Sequence, residues 1–399
     1  MRAAIYLLLP FGALAATSTA NEKVSPPKGS LALSMLDSII SREQGISVNA
    51  SVKTSVIEAG LLLTGIRTVL QHVKLPPATA AKYETYTDSV ISGLIPALSN
   101  ATADRTSPLD EFSVGTEFIR QYVETGNKTL LPTIQTLHEV DMMRNRQQDK
   151  SYWYFTYTNV TTQDGLFSIP QFISLYAQTF SPSSASAAYA TTALQFSNIV
   201  SRCLSHRTGL LYHGYDPTRQ FPVWGNLTCR GHSESVWGRA MGWTVTGLLL
   251  ALDVIPTHEG AAVELRDVLT KFMQAVLAAQ DKTTGAWWQV MDQPWREGNY
   301  LESSATGLFA HAMARGVRLG YLDGKEYLGP AKRAFGWLKE NAVVELGDGT
   351  LGYNLTVDVC SINSTTTFDF YVAQPLKPNS LLGEVGAILT DVELMLLGN

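Results

Sequence analysis

Apolar residues along this chain recur mostly at intervals of three and four, the spacing that gathers them on one face of an α-helix. Twelve windows carry that period: 30–43, 52–72, 79–98, 111–124, 128–148, 167–180, 185–204, 235–254, 260–280, 302–319, 325–342 and 380–397. Their ends carry ordinary stop and start signals. Pro77 opens the third, the Asn127 region separates the fourth from the fifth, Pro256 follows the eighth and Gly320 ends the tenth. The long connections at 149–166, 205–234, 281–301 and 343–379 are richer in aromatic residues, Gly and Thr, a composition that suits functional loops and short hairpins. Twelve helices with alternating short and long connections predict an all-α chain in which six hairpins close into a ring. That is an (α/α)6 barrel, with inner and outer helical layers and the long loops at one mouth. An open solenoid has the same helix count but calls for a repeat of fixed period, and none is visible. The fold by itself does not establish a function.

The first residues break this pattern. Arg2 precedes the apolar runs Ile5 to Leu9 and Phe11 to Leu14, and the small residues Ala15, Ala16, Ser18 and Ala20 follow, as in an export signal. The run is short of the ~20 apolar residues that span a bilayer, and no later segment reaches that length, so no membrane association is expected. The expected organisation is a signal at 1–20 and one barrel domain at 21–399, because no Pro/Ser-rich linker or shift in composition divides the body. Seven Asn-x-Ser/Thr triplets, at Asn49, Asn100, Asn127, Asn159, Asn226, Asn354 and Asn363, fit a secreted, extracellular protein with N-glycans at some of them. Cys203, Cys229 and Cys360 are the three cysteines, so at most one intramolecular disulfide can form. Cys203 with Cys229 is the first expectation, three unpaired thiols the alternative. No Cys/His cluster has zinc-ligand spacing, and no metal is expected. The net charge of −5 argues against a groove for nucleic acid or intact polyanion, while a short acidic molecule held end-on remains compatible. The expected state is a monomer.

The densest chemistry lies in Gly231-His232-Ser233-Glu234-Ser235-Val236-Trp237-Gly238-Arg239-Ala240-Met241-Gly242-Trp243, at the start of the eighth window. Indole faces stack on the C–H faces of pyranose rings, and a guanidinium offers a planar fork to carboxylate or hydroxyl oxygens, so Trp237, Arg239 and Trp243 suit an acidic sugar. Core packing with a cation–π neighbour is the plain alternative. Gly238 and Gly242 are poor helix formers that allow close approach of a helix or a ligand. Asp164 stands before a helix at the end of an aromatic loop, and Asp110 stands at another helix start; N-capping explains either, yet two such carboxylates can also converge across a barrel. His213 lies among Tyr212, Gly214 and Tyr215 in a long loop, as a site residue or a hydrogen-bonded structural histidine. Glu302, at a helix N-terminus, needs no catalytic role.

In this order and at these separations the motifs resemble the unsaturated glucuronyl and galacturonyl hydrolases, glycoside hydrolase family 105 and its relative family 88. The resemblance spans most of the chain. It runs through Leu109-Asp110, Asp164-Gly165-Leu166-Phe167, Tyr212-His213-Gly214-Tyr215-Asp216, Trp237-Gly238-Arg239 and Trp288-Gln289-Val290-Met291-Asp292. It continues through Tyr300-Leu301-Glu302-Ser303 and Gly316-Val317-Arg318 to Phe370-Tyr371-Val372 and Gly383-Glu384-Val385.

The resemblance implies an (α/α)6 barrel without metal or organic cofactor, acting on a small anionic oligosaccharide left by a polysaccharide lyase. The enzyme hydrates the C4=C5 enol ether of the terminal unsaturated uronic acid, and the resulting hemiketal opens to release the neighbouring sugar. By the motif match Asp164 is the acid/base, helped by a burial-raised pKa. Asp110 is the second carboxylate, and His213, Trp237, Arg239 and Trp243 contact substrate. Three departures lie where specificity is read: Thr162 where many bacterial members carry Trp, Ser168 in place of the usual Met, and Tyr152-Trp153-Tyr154-Phe155 where some carry a His-Lys pair. The expected substrate is unsaturated galacturonyl-rhamnose or a related disaccharide. Unsaturated glucuronyl fragments of ulvan, arabinogalactan or glycosaminoglycans, or a catalytically silent glycan-binding barrel, are the alternatives.

Overall fold

The twelve apolar windows fold as helices within a few residues of their expected bounds. In a computed structural model that describes residues 23–47, 54–154 and 159–398, they are α1 (Leu31–Ser41), α2 (Ser55–His72), α3 (Pro77–Leu94), α5 (Glu111–Thr125), α6 (Leu131–Met143) and α7 (Ile169–Phe180). The second half holds α8 (Ala185–Cys203), α9 (Gly238–Val254), α10 (Gly260–Ala278), α11 (Ser303–Arg318), α12 (Gly324–Trp337) and α14 (Leu381–Leu396). Two short helices, α4 (Ala101–Asp104) and α13 (Phe368–Val372), were not anticipated, being too short to show a period. Two small antiparallel strand pairs sit in the long connections: β1 (Thr161–Thr162) with β2 (Gly214–Tyr215), which joins two of them, and the hairpin of β3 (Val343–Glu345) with β4 (Leu351–Tyr353). The expected export segment 1–20 and the sequon at Asn49 lie outside the described residues.

Helices α2, α5, α7, α9, α11 and α14 touch in that cyclic order, and α14 returns to α2. Outside them α3, α6, α8, α10 and α12 each pack on the inner helix that precedes them, while α1 packs on α14. The chain is therefore an (α/α)6 barrel whose sixth hairpin joins the two ends of the sequence. That seam is held by Asp391, whose Oδ2 accepts from Ser30 Oγ at 3.0 Å and from the Ala32 amide at 2.8 Å, satisfying a free N–H of the first turn of α1.

Layer position explains the patterning. Inner α9 buries 16 of its 17 residues and α14 buries 15 of 16, whereas outer α10 buries 7 of 19 along one stripe. The inner helices run parallel. Their C-terminal halves meet in an ionic cluster in which Arg315 pairs with Glu393 at 2.8 Å and Asp253 at 2.6 Å, and Arg318 with Glu393 at 2.5 Å. Glu117 is flanked by Arg67 at 2.7 Å and Arg120 at 3.0 Å. Five of the six inner helices contribute, and arginines in this position face the negative ends of the helix dipoles.

Cys203, Cys229 and Cys360 are all free, so the expected Cys203–Cys229 disulfide is not formed. Cys203 ends α8 inside the core while Cys229 is exposed on a loop. The sequon side chains of Asn100, Asn127, Asn226, Asn354 and Asn363 are exposed and that of Asn159 is half-buried. No helix among the described residues is long and apolar enough to cross a membrane.

Glu393 is fully buried. Burial alone raises its pKa, yet Arg318, Arg315 and His311 together bring it down to about 2. A folded pKa below the ordinary 4.5 makes its contribution complete above that value and progressively lost as pH falls from 4.5 toward about 2. Glu393→Gln is expected to lower the unfolding free energy at pH 7 by about 3–5 kcal/mol, because two arginines lose their buried partner. Urea titrations at pH 7 and pH 3 check this: the gap between wild type and variant should narrow at the lower pH.

Candidate active site

The N-terminal ends of the inner helices open on a cavity of about 330 Å³. Thr54 and Ile57 of α2, Asp110 before α5, Asp164 before α7, the start of α9 and Leu382 of α14 all reach it, and Val359 to Asn363 of the last long connection form a wall. Asp110, Asp164, His213, Trp237, Arg239 and Trp243, the six residues singled out in the sequence, line this one cavity together.

Asp164 sits in a 3-10 turn, Gln163–Phe167, that feeds into α7. The turn is anchored on both sides. In the β1–β2 pairing Thr162 lies opposite Gly214, which brings Asp164 beside His213. The Gln163 amide donates to the His213 carbonyl at 3.0 Å, its side-chain Nε2 donates to the Leu211 and Tyr212 carbonyls, and its Oε1 accepts from Thr244 of α9 at 2.8 Å. Gly247 completes the seat: a Cβ there would lie 2.1 Å from the Leu166 carbonyl oxygen, so α9 can press against this turn only without a side chain.

The Asp164 carboxylate caps nothing. Thr162 does the capping, its Oγ1 accepting from the Asp164 amide at 2.9 Å and donating onward to Asp164 Oδ2 at 2.5 Å. His213 Nε2 lies 2.7 Å from the same Oδ2, and His213 Nδ1 lies 2.7 Å from the Tyr371 hydroxyl. Oδ1 has no protein partner among the described residues and is left for whatever fills the cavity. Asp110 occupies the N-cap position of α5 but also makes no side-chain cap bond; its Oδ1 accepts from the Tyr154 hydroxyl at 2.6 Å.

The two carboxyls differ electrostatically, and not as expected. Burial raises Asp110 to about 7, with the charge of Asp164 adding to the rise and the Tyr154 hydrogen bond opposing it. Burial also favours a protonated Asp164, but the electrostatic pull of His213 and the hydrogen bonds from His213 and Thr162 outweigh it, so Asp164 lies below its ordinary value. The expected burial-raised pKa at Asp164 is therefore corrected: the proton held toward neutrality is that of Asp110.

Trp237 and Trp243 form walls, and each is tied down. Trp237 Nε1 donates to Gln289 Oε1 at 3.1 Å, and the Trp243 ring lies 4.7 Å from that of Phe167 in the Asp164 turn. Arg239 differs from its expected role as a free fork. Its Nη1 donates to the Val357 carbonyl at 2.6 Å, its Nη2 donates to the Asp358 carbonyl, and its guanidinium lies 4.8 Å over the Trp237 ring. It thus holds the wall loop in place while lining the cavity. Gly242 serves helix packing, since a Cβ there would meet Leu308 of α11 at 2.7 Å. Glu302 caps α11 through the Ala305 amide at 2.7 Å, as its position suggested.

Tyr154, Gln163, Gln289, Cys360 and Tyr371 were not expected as site residues, although Tyr154, Gln289 and Tyr371 stand in runs that carry the resemblance or its departures. Tyr154, Gln289, Cys360 and Tyr371 touch the site only through contacts remote in sequence, and Gln163 carries no chemistry that marks it before its partners are known. A second cavity of about 470 Å³ adjoins the first, sharing Thr54, Val359, Ser361 and Asn363 with it. Asp358, Ser364, Phe370, Gln374, Pro375 and Lys377 complete its lining, and Lys377 Nζ is paired with Glu58 at 2.9 Å. Among the described residues no group of three or more His, Cys, Asp or Glu is arranged to hold a metal ion.

The chain matches the family model for Glycosyl Hydrolase Family 88 over residues 44–397. It is similar to a C. acetobutylicum ATCC 824 glycoside hydrolase from family 105, with a TM-score of 0.79 and 27% identity over 91% of this chain and 99% of that one. The 24.9 kDa protein in the picA locus of Rhizobium radiobacter is 31% identical over 198 residues, 47% of this chain and 83% of that protein. The unsaturated rhamnogalacturonyl hydrolase YesR of Bacillus subtilis is 29% identical over 115 residues, 27% of this chain and 32% of that protein.

The electrostatic coupling is directly measurable. In a carbon-detected titration of the aspartate carboxyls, Asp110 is expected to titrate at about 7. Asp164→Asn should lower that midpoint by removing a neighbouring negative charge, and Tyr154→Phe should raise it by removing a hydrogen bond to the anion. A midpoint that neither substitution moves would show the two carboxyls to be independent.

Proposed function

Because the chain belongs to Glycosyl Hydrolase Family 88, we propose that it removes a 4,5-unsaturated uronic acid, galacturonyl in the first instance, from the non-reducing end of short lyase-generated pectin fragments. The observation that carries this reading is Asp164: a buried carboxyl with Oδ2 fixed by Thr162 and His213 and Oδ1 free in a sugar-sized cavity. The cavity volume is near the lower end of ligand pockets, about 300 Å³, which supports a terminal sugar entering end-on over a polymer threading through.

The reaction proposed is the one the family resemblance implies, and the groups present can support it. Asp164 delivers a proton to C4 of the enol ether, positive charge develops at C5 and the ring oxygen, and the resulting carboxylate accepts a proton from the water that adds to C5. The hemiketal opens and the neighbouring sugar departs. One carboxyl serves both transfers, so the spacing rules for retaining and inverting carboxyl pairs do not apply. The substrate's own carboxylate brings negative charge beside Asp164 and raises its affinity for the proton above that of the empty site. Asp110, neutral below about 7, can hydrogen-bond sugar hydroxyls without adding a second charge. The helix N-termini and Arg239 favour an anionic sugar, and Trp237 and Trp243 offer it flat faces.

The second cavity supports a neutral leaving sugar. Its walls include Val359, Phe370 and Pro375, and the lysine among its described residues is paired with Glu58, so the described residues offer no free cation to the sulfate or carboxylate of a glycosaminoglycan unit. We further propose that the protein acts outside the cell, on the strength of the leader-like N-terminus and the exposed sequons.

Lyase-digested rhamnogalacturonan incubated with the protein should lose the ultraviolet absorbance of the unsaturated uronate. Asp164→Asn should cut kcat by about 10²–10⁴-fold with the circular dichroism unchanged. Retention of rate within tenfold would remove Asp164 from the acid/base role, and faster initial rates on unsaturated glucuronyl disaccharides would reassign the sugar.

A further inference from the structure

Behind the cavity a line of side chains runs away from Asp164. His213 bridges Asp164 Oδ2 and the Tyr371 hydroxyl, each at 2.7 Å, and Tyr371 is fully buried and is not part of the cavity lining. Tyr371 belongs to α13, a helix too short to appear in the sequence pattern, whose first turn is capped by Thr367. Its carbonyl accepts from Gln289 Nε2 at 3.2 Å, and Gln289 in turn holds the Trp237 indole. The hydroxyl is thus aimed at His213 by a fixed backbone.

A neutral imidazole has one donor nitrogen and one acceptor nitrogen, and its neighbours choose which is which. The Tyr371 hydroxyl has Nδ1 as its one hydrogen-bond partner among the described residues, and burial keeps its own proton in place. If Nδ1 carried the imidazole proton it would donate to the tyrosine oxygen, and the tyrosine O–H would point at nothing. An orphaned buried hydroxyl biases the balance by about tenfold or more. The satisfied arrangement has Tyr371 donating to Nδ1 and the proton on Nε2, which then donates to Asp164 Oδ2. Thr162 Oγ1 already spends its single hydrogen on that same oxygen, because it accepts from the Asp164 amide. With two donors on Oδ2, a proton bound to Asp164 can sit only on Oδ1, the oxygen that faces the cavity.

We infer that Tyr371 is a positioning residue for the reaction: by fixing the tautomer of His213 it confines the catalytic proton to the substrate-facing oxygen of Asp164. The opposite tautomer has Asp164 donating from Oδ2 to Nε2, where the proton is trapped between the two side chains and out of reach of C4. This rests on the acid/base role proposed above for Asp164.

Nitrogen-15 NMR of histidine-labelled full-length protein reads the tautomer without reference to activity, with His213 assigned by its loss in His213→Gln. The expected result at a pH above imidazole protonation is a single Nε2–H tautomer in wild type and in Asp164→Asn, whose amide can either accept from Nε2 or donate to it, and a mixture when Tyr371→Phe is added to Asp164→Asn. Tyr371→Phe by itself should lose kcat about 10-fold or more at little change in KM, as partners that orient a functional histidine do. A wild-type spectrum showing the Nδ1–H tautomer overturns the inference even if Tyr371→Phe fails to fold, and so does a folded variant with unchanged kcat. Activity surviving in Asp164→Asn would instead sink the acid/base role and leave the tautomer result standing.

Discussion

Six parallel helices packed side by side are the constraint on which this molecule turns. Parallel dipoles do not cancel, so one mouth of the barrel collects six sets of free N–H groups and the other collects the free carbonyls. The arginines among the C-terminal halves, Arg67, Arg120, Arg315 and Arg318, answer the negative pole. The positive pole is answered by carboxylates: Glu58, Glu111, Glu302 and Glu384 in the first turns or caps, with Asp164 just ahead of α7. Most of these are neutralised locally. Lys377 pairs with Glu58, Arg144 with Glu111 and Arg42 with Glu384, leaving the mouth suited to an anion although the chain as a whole is acidic.

Within that mouth, burial acts on Asp110 and Asp164 alike, and their partners separate them. A phenol donating to one oxygen of Asp110 does not overcome desolvation, so that group keeps its proton toward neutrality. An imidazole, a hydroxyl and a backbone amide around Asp164 do overcome it. Two carboxyls in one cavity are thereby pushed apart, Asp110 above and Asp164 below the ordinary carboxylate range.

The wall loop shows how tightly recognition and architecture are joined. Arg239 is one of the largest fully buried side chains in the protein and grips the backbone of residues 357 and 358, so a residue typed as a ligand contact also holds the cavity shut on one side. The same loop continues into the second cavity and on to α13, which carries Tyr371 behind His213. One connection of the barrel therefore borders both cavities and reaches, through Tyr371, the imidazole bonded to Asp164.

Periodicity determined the twelve long helices, because burial on one face or on all faces leaves its mark residue by residue, and the alternation of short and long connections pointed to their closure into a barrel. The motifs around Asp110, Asp164, His213 and the Trp237 to Trp243 run marked side chains that line one cavity. Only the tertiary structure decided what those side chains do to one another. Hydrogen-bond partners lie 44 residues away for Asp110, 49 for Asp164 and 158 for His213, and a short helix such as α13 is too brief to announce itself. Desolvation and charge coupling depend on distance in space, which no local run of residues encodes; the free thiols and the committed guanidinium of Arg239 came to light for the same reason.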